Sequence, residues 1–284
     1  MKIRRSLSSG FSRSLKSWKG VLLGWLFSLI LVSLLVVPFR GALRSAFGSS
    51  MITEKLAGGF DLETFMDFGP AFRTIFASLT SGLLFVLLIS FILNAFLTGG
   101  LFNSLKKGEE KFSYAEFFSS ASKNFWSYLL ISLAVSFVIV FVSASIIGIT
   151  TIIVSGSGTI SENSRFFFLL ASFVTVMLLL PVFLLVADYA RARKVSDEKI
   201  SGLNAIGYGF SRTFSRFWTS YPMMLILIFC QLVFGAFVVY LVPVWRPVTS
   251  EGVMLLFLVS QVQVFIRFFL KTWRYGSVTA LMES

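Results

Sequence analysis

The chain alternates long apolar runs with short charged ones. Apolar residues fill Gly20–Pro38, Ile75–Leu97, Trp126–Val154, Phe166–Ala187, Tyr221–Val244 and Val253–Trp273 almost without interruption. At 1.5 Å per residue, about 20 such residues cross the ~30 Å hydrocarbon layer of a bilayer. The runs are continuous instead of alternating with period two, which argues against a membrane β-barrel. The predicted fold is therefore all-α: a polytopic membrane helical bundle of six transmembrane helices, forming a single membrane domain over residues 1–284. The first run follows a basic start and so looks like a signal peptide. Its nineteen positions exceed the 7–15 apolar residues of a signal core, and an uncleaved span is expected.

Three of the runs are entered through a basic and aromatic ramp. The first run follows Gly10-Phe11-Ser12-Arg13-Ser14-Leu15-Lys16-Ser17-Trp18, and the fifth follows Gly209-Phe210-Ser211-Arg212-Thr213-Phe214-Ser215-Arg216-Phe217-Trp218. The third follows the looser Ser122-Lys123-Asn124-Phe125-Trp126. Before the fifth run, Leu203, Ile206, Phe210, Phe214 and Phe217 recur at steps of three and four, which places them on one helical face. Tyr114, Phe118, Ala121 and Phe125 keep the same rhythm, as do Phe11, Leu15 and Trp18. The ramps thus predict amphipathic interface helices. Glu110-Lys111-Phe112-Ser113 and Glu198-Lys199-Ile200-Ser201 match each other as well. Because the spans pair in order, the pattern predicts three parallel hairpin repeats, 10–105, 112–195 and 200–280, around an axis along the membrane normal.

Charge then orients the bundle. Nineteen of the 25 Lys and Arg fall on the side of the termini and six on the other. The positive-inside rule places both termini in the cytoplasm. Topology accounts for the net charge of +12 without a nucleic-acid partner. Arg13, Lys16, Trp18, Lys123, Trp126, Arg212, Arg216 and Trp218 are the expected lipid-interface residues. Trp rings prefer the headgroup level, and each cation gains about 1 kcal/mol against anionic headgroups there. The ramps read either as anchors that set depth or as a collar that docks a partner. Membrane lipids are the expected partners, with other membrane proteins beside them. The far-side loop 39–74 carries Glu54, Asp61, Glu63 and Asp67, with Asp61 placed to cap a short helix, at a spacing that does not demand convergence.

Chemistry-bearing residues are scarce. There is no His and one Cys, Cys230, inside an apolar run. An internal disulfide is impossible, and no zinc, copper or haem cofactor is expected. No Ser-His or Cys-His pair, P-loop or glycine fingerprint is present, so an enzyme is not expected. The polar groups of the spans are Gln231, Gln263, Arg267, Asp188 and Asn94. Gln231 and Gln263 sit near the midplane, and Arg267 shares a face with Gln263 within reach of Asp188. Two readings follow: a polar vestibule open to the cytoplasm, or interhelical glue at about 0.6 kcal/mol per hydrogen bond. No acid lies in a span core, which argues against ion-coupled transport.

Four short segments carry a family resemblance: Gly99-Gly100-Leu101, Glu116-Phe117-Phe118, Asp188-Tyr189-Ala190-Arg191 and Gly209-Phe210. In these the chain resembles six-span bacterial inner-membrane proteins and is similar to membrane domains that adjoin some glycerophosphodiester phosphodiesterases. The resemblance implies a helical bundle in the bacterial inner membrane and no catalytic residues. The expected function is a non-enzymatic scaffold or accessory subunit that binds partner membrane proteins and lipids. The alternative is a transporter or lipid-handling protein with a cytoplasm-facing polar cavity.

Overall fold

A computed structural model describes residues 2–47, 69–106, 112–156, 161–245 and 249–283. These residues form eight helices and no strand: α1 Lys2–Lys16, α2 Trp18–Phe47, α3 Gly69–Lys106, α4 Tyr114–Gly156, α5 Glu162–Ser196, α6 Gly202–Ser215, α7 Phe217–Val244 and α8 Ser250–Glu283. Six of them, α2, α3, α4, α5, α7 and α8, are long and apolar enough to cross a membrane. The chain is an all-helical, multi-pass membrane protein, as the pattern predicts.

The helices outrun the apolar runs that announce them. Span three was expected over 126–154, yet α4 begins at Tyr114 and has 43 residues. Such a helix is about 64 Å long, twice the hydrocarbon thickness. Hydropathy reports how much of a helix sits in lipid, and Lys, Thr or Gly at the headgroup level do not end one. The far-side loop shrinks for the same reason: residues 39–47 belong to α2 and 69–74 to α3. Residues 48–68, with Asp61 and the other loop acids, lie outside the described residues, as do Glu110 and Lys111. Pro222 is the sixth residue of α7.

The ramps differ from one another. The first and third are separate helices, α1 and α6, broken from their spans at Ser17 and Arg216. The second was expected to be the same but is continuous with its span in α4. Gly10 sits in α1 and Gly202, Gly207 and Gly209 in α6, whereas Tyr114–Trp126 contains no glycine to weaken it. The serines that open α4 and α6 behave alike. The Ser113 hydroxyl accepts from the Glu116 amide at 3.5 Å and the Ser201 hydroxyl from the Asn204 amide at 3.2 Å. Their carbonyls accept from Phe117 and Ala205, each at 3.0 Å. These are N-caps, which stabilise a helix start by about 1 kcal/mol.

The chain divides into two compact units. Leu23–Asn94 holds most of α2 and α3, where Leu35 packs over Gly82. The second unit is Met1–Leu22 together with Ala95–Ser284. Its burial is concentrated at one end, which carries α1, α6 and the basic exits of the spans. In α4 the buried residues run from Phe117 to Ser132 and then stop until Val154. In α8 they run from Thr272 to Leu281. A core of Leu185, Tyr189, Met223, Met224, Leu227, Val278 and Leu281 joins α5, α7 and α8 there. Beyond it Phe137, Phe141, Phe166, Phe229, Phe237 and Phe257 stand exposed. Lipid tails are as apolar as Phe, so nothing drives these side chains inward.

Small residues bring the helices of this end together. A methyl at Gly10 would strike Ser277, and one at Gly209 would strike the Val186 carbonyl. One at Gly100 would come within 2.7 Å of the Phe117 ring, and one at Gly99 within 3.2 Å of the Ala121 Cα. Each contact sets the exit of a span against a ramp: α8 against α1, α5 against α6, and α3 against the start of α4. In each ramp a buried polar side chain folds back on its own helix. Ser14 donates to the Gly10 carbonyl at 2.8 Å, Asn124 to the Ser120 carbonyl at 3.1 Å, and Thr213 to the Gly209 carbonyl at 2.8 Å. Their hydrogen-bonding groups are thereby satisfied without reaching across to a neighbour.

Candidate functional site at the basic end

The exit of α5 places Asp188 and Arg191 one turn apart on one face. Asp188 is fully buried. Arg191 donates from Nη1 to Asp188 Oδ1 at 3.2 Å and from Nη2 to the Ser132 hydroxyl of α4 at 2.9 Å. Tyr128, also from α4, donates its hydroxyl to the Arg191 carbonyl at 2.8 Å. The second guanidinium comes from α8. Arg274 Nε lies 3.0 Å from Asp188 Oδ2. The two form a buried ion pair between α8 and α5.

One ring organises the rest. The Arg274 guanidinium sits 5.1 Å from the centre of the Tyr275 ring and Lys271 Nζ 5.8 Å from it. Phe102, from the exit of α3, stacks on Tyr275 at 4.7 Å and lies 6.1 Å from Tyr128. Cations over aromatic faces gain about 0.5–2 kcal/mol, more as water is excluded. Two cations, Arg191 and Arg274, thus flank one carboxylate among the described residues, and Lys271 lies over the neighbouring Tyr275 ring. Arginine does not release its proton in proteins, so the cluster keeps a net positive charge. A buried pair contributes little by itself, but removing one partner strands the other.

Longer ties close this end around the cluster. Arg13 pairs with Glu283 at 2.6 Å and donates to the Leu105 carbonyl at 3.3 Å. Arg216 donates to the Leu281 carbonyl at 3.3 Å, and Trp273 donates to the Leu7 carbonyl at 2.9 Å. Lys194 donates to the backbone carbonyls of Glu198 and Ile200 and so pins the link into α6. Lys123 pairs with Glu198 on the surface. That hydrogen bond and the nearby charge hold the Glu198 carboxyl below its ordinary range.

Asp188 was expected to meet Arg267, but its partners are Arg191 and Arg274, and Arg267 stands exposed on α8 two turns earlier. Two turns take an α-helical side chain about 10 Å along the axis, which is why the nearer arginine holds the aspartate. Gln231 and Gln263 are half-buried on α7 and α8, and the Gln231 amide nitrogen is buried without a hydrogen-bond partner. Asn94 is half-buried at the edge of the other unit. Among the interface residues Trp18, Trp126 and Trp218 are exposed, as are Lys16 and Lys123. Arg13 and Arg216 are half-buried in the ties above, and Arg212 has a buried Nε without a partner. Leu203, Phe210 and Phe214 of α6 are exposed while Ala205, Gly209 and Thr213 are buried, Gly209 against Val186 and Ala190 of α5.

Sequence reasoning missed Arg191, Arg274, Lys271, Tyr128 and Tyr275. It counted the cations as topology charges only. One signal was present: Asp188-Tyr189-Ala190 and Arg274-Tyr275-Gly276 share a charged, tyrosine, small-residue order just past an apolar run. Comparisons with family models, curated proteins and solved structures give no match.

Proposed function

We propose that this chain is a non-enzymatic scaffold or accessory subunit of the bacterial inner membrane, with both termini in the cytoplasm, that binds partner membrane proteins and lipids. The observation that carries this reading is the uneven burial. The basic end is tied shut by glycine contacts and buried ion pairs, while the apolar lengths of α4, α5, α7 and α8 keep large side chains exposed. A firm end with open apolar flanks suits a protein that presents its spans to others. Three exit-on-ramp contacts, with a back-bonded polar residue in each ramp, support the reading of three parallel hairpin repeats and amphipathic interface helices.

Photo-crosslinkers placed at Phe137 and Phe237 test the function. Adducts to other membrane proteins in cells are expected. Adducts to lipid alone at both positions would sink the scaffold reading. The lipid-handling alternative draws on the cationic cluster, and its vestibule predicts that Gln263→Leu abolishes function in cells. A reporter fused after Ser284 checks the orientation, and activity outside the cytoplasm would overturn it.

A further inference from the structure

We propose that α6 is a lipid-packing sensor, whose apolar face of Leu203, Phe210 and Phe214 inserts into the bilayer where headgroups are loosely packed, driven by apolar burial and not by charge. This rests on the reading of α6 as an amphipathic interface helix, and it names the property of the membrane that the helix recognises.

Three faces run along α6. Ala205, Gly209 and Thr213, four apart, are buried, with Gly209 against Val186 and Ala190 of α5. Leu203, Phe210 and Phe214, seven and four apart, share a second face and are 66%, 58% and 52% exposed. Asn204, Ser211 and Ser215 repeat that spacing one residue on, about 100° round the helix, and are exposed too. The helix thus offers one face to protein, one fit for lipid and one fit for water, in that order around its axis.

What covers the apolar face follows from where it leads. The rings of Phe210, Phe214, Phe217 and Tyr221 follow one another at 4.6, 6.4 and 4.9 Å, across the break at Arg216 and into α7. Exposed Trp218 meets Phe217 edge-on at 5.7 Å, and a Trp at the start of a span marks the headgroup level. The exposed face of α6 is therefore continuous with a helix long and apolar enough to cross the membrane.

Charge has little part in it. Amphipathic membrane helices commonly carry Lys and Arg on the polar face. The single charged residue of α6, Arg212, is half-buried, and so is Arg216 at the break, which donates to the Leu281 carbonyl. Arg193 lies over the Tyr208 ring of α6 at 5.2 Å but pairs with Asp197. α1 is the contrast: it also exposes Phe11 and Leu15, yet it carries Lys2, Arg4, Arg5, Arg13 and Lys16. Large apolar side chains beside an uncharged Asn and Ser flank gain from a membrane by leaving water, and they need gaps between headgroups to enter.

The full chain in a Cys230→Ala background, labelled with nitrobenzoxadiazole at Gly207→Cys and reconstituted into nanodiscs, supplies the test. Gly207 falls on the apolar face with nothing within 4 Å of an added Cβ, and Cys230 is the single native thiol. Discs are made from a loosely packed, doubly unsaturated phosphatidylcholine, from a tightly packed, more saturated one of similar thickness, and from the latter with phosphatidylglycerol added. Emission from position 207 is expected to shift to the blue in the loose disc alone, while a label at Ser211→Cys reports water in all of them. Phe210→Ser and Phe214→Ser, at exposed side chains, should each abolish the shift. Equal emission in loose and tight discs overturns the sensor, and a shift that follows phosphatidylglycerol overturns it in favour of an electrostatic anchor. Water at position 207 in every disc overturns the lipid occupant and leaves the face to a soluble protein. Partner crosslinking from Phe137 and Phe237 does not involve α6, so a failed sensor leaves the scaffold reading standing.

Discussion

The two ends of α4 obey different rules. From Tyr114 to Ser132 it is packed, hydrogen-bonded and crossed by other helices. From Leu133 to Ile153 its side chains are mostly uncovered, with Phe137, Val140 and Ile152 more than 60% exposed. The first stretch carries Glu116, Lys123 and Asn124, and the second carries no charge. The difference lies in what surrounds them. At the basic end helices meet through polar groups and small residues, contacts that lipid cannot replace. Along the span the alternative to a protein neighbour is an acyl chain of equal polarity, so packing brings little. Stability in this protein is therefore expected to depend on its basic end.

Substitutions can break or sharpen that contrast. The largest effect is expected for Asp188→Asn, which leaves two buried guanidiniums without a counter-charge. A loss of about 3–5 kcal/mol is expected, read as a lowered unfolding midpoint in detergent. A wild-type midpoint in Asp188→Asn would show that the cluster is not structural. Next comes Gly209→Leu, where the new side chain meets the Val186 backbone, at a cost of about 1–3 kcal/mol or more. Its counterpart is Gly148→Ala, where nothing lies within 4 Å of the added methyl. That change should be neutral or stabilise by up to about 1 kcal/mol through helix propensity. If both glycine variants behave alike in the same thermal scan, the two-region picture fails.

Smaller effects refine it. Ser201→Ala removes the cap of α6 and should cost about 1 kcal/mol, with protease sensitivity rising near residues 197–201. Lys123→Gln should leave the midpoint unchanged within error, because the pair with Glu198 is exposed and screened. The sign of its pH dependence is still set. The Glu198 carboxyl is lowered in the folded protein, so any stabilisation is present above the ordinary carboxylate range and fades as pH falls through the lowered value. A midpoint that rises on acidification in wild type but not in Lys123→Gln would contradict this.

How much was legible follows from the same contrast. Six spans could be counted because twenty apolar residues in a row have few other uses. The start of α6 could be guessed from Ser201, and the matching Ser113 follows it in geometry. Arg274 could not be paired with Asp188, because 86 residues separate them and three other cations compete in sequence for the same aspartate. Helical periodicity placed Phe210 and Phe214 on one face of α6 but did not say that the opposite face, with Gly209, would be the one to pack. Only the bulk that glycine lacks decides that. The continuity of α4 was equally hidden, since the aromatic rhythm from Tyr114 to Phe125 is the same whether a helix stops at its end or not.

The junction of α1 with α8 has a consequence for how the protein is made. Gly10 rests on Gly276 and Ser277, and Arg13 on Glu283. α1 leaves the ribosome ahead of the six spans and has its docking place in the last of them. Until translation reaches that point, α1 must wait at the bilayer surface with its apolar side against lipid. A chain stalled after α7 would therefore hold five spans and still lack the clasp between α1 and α8.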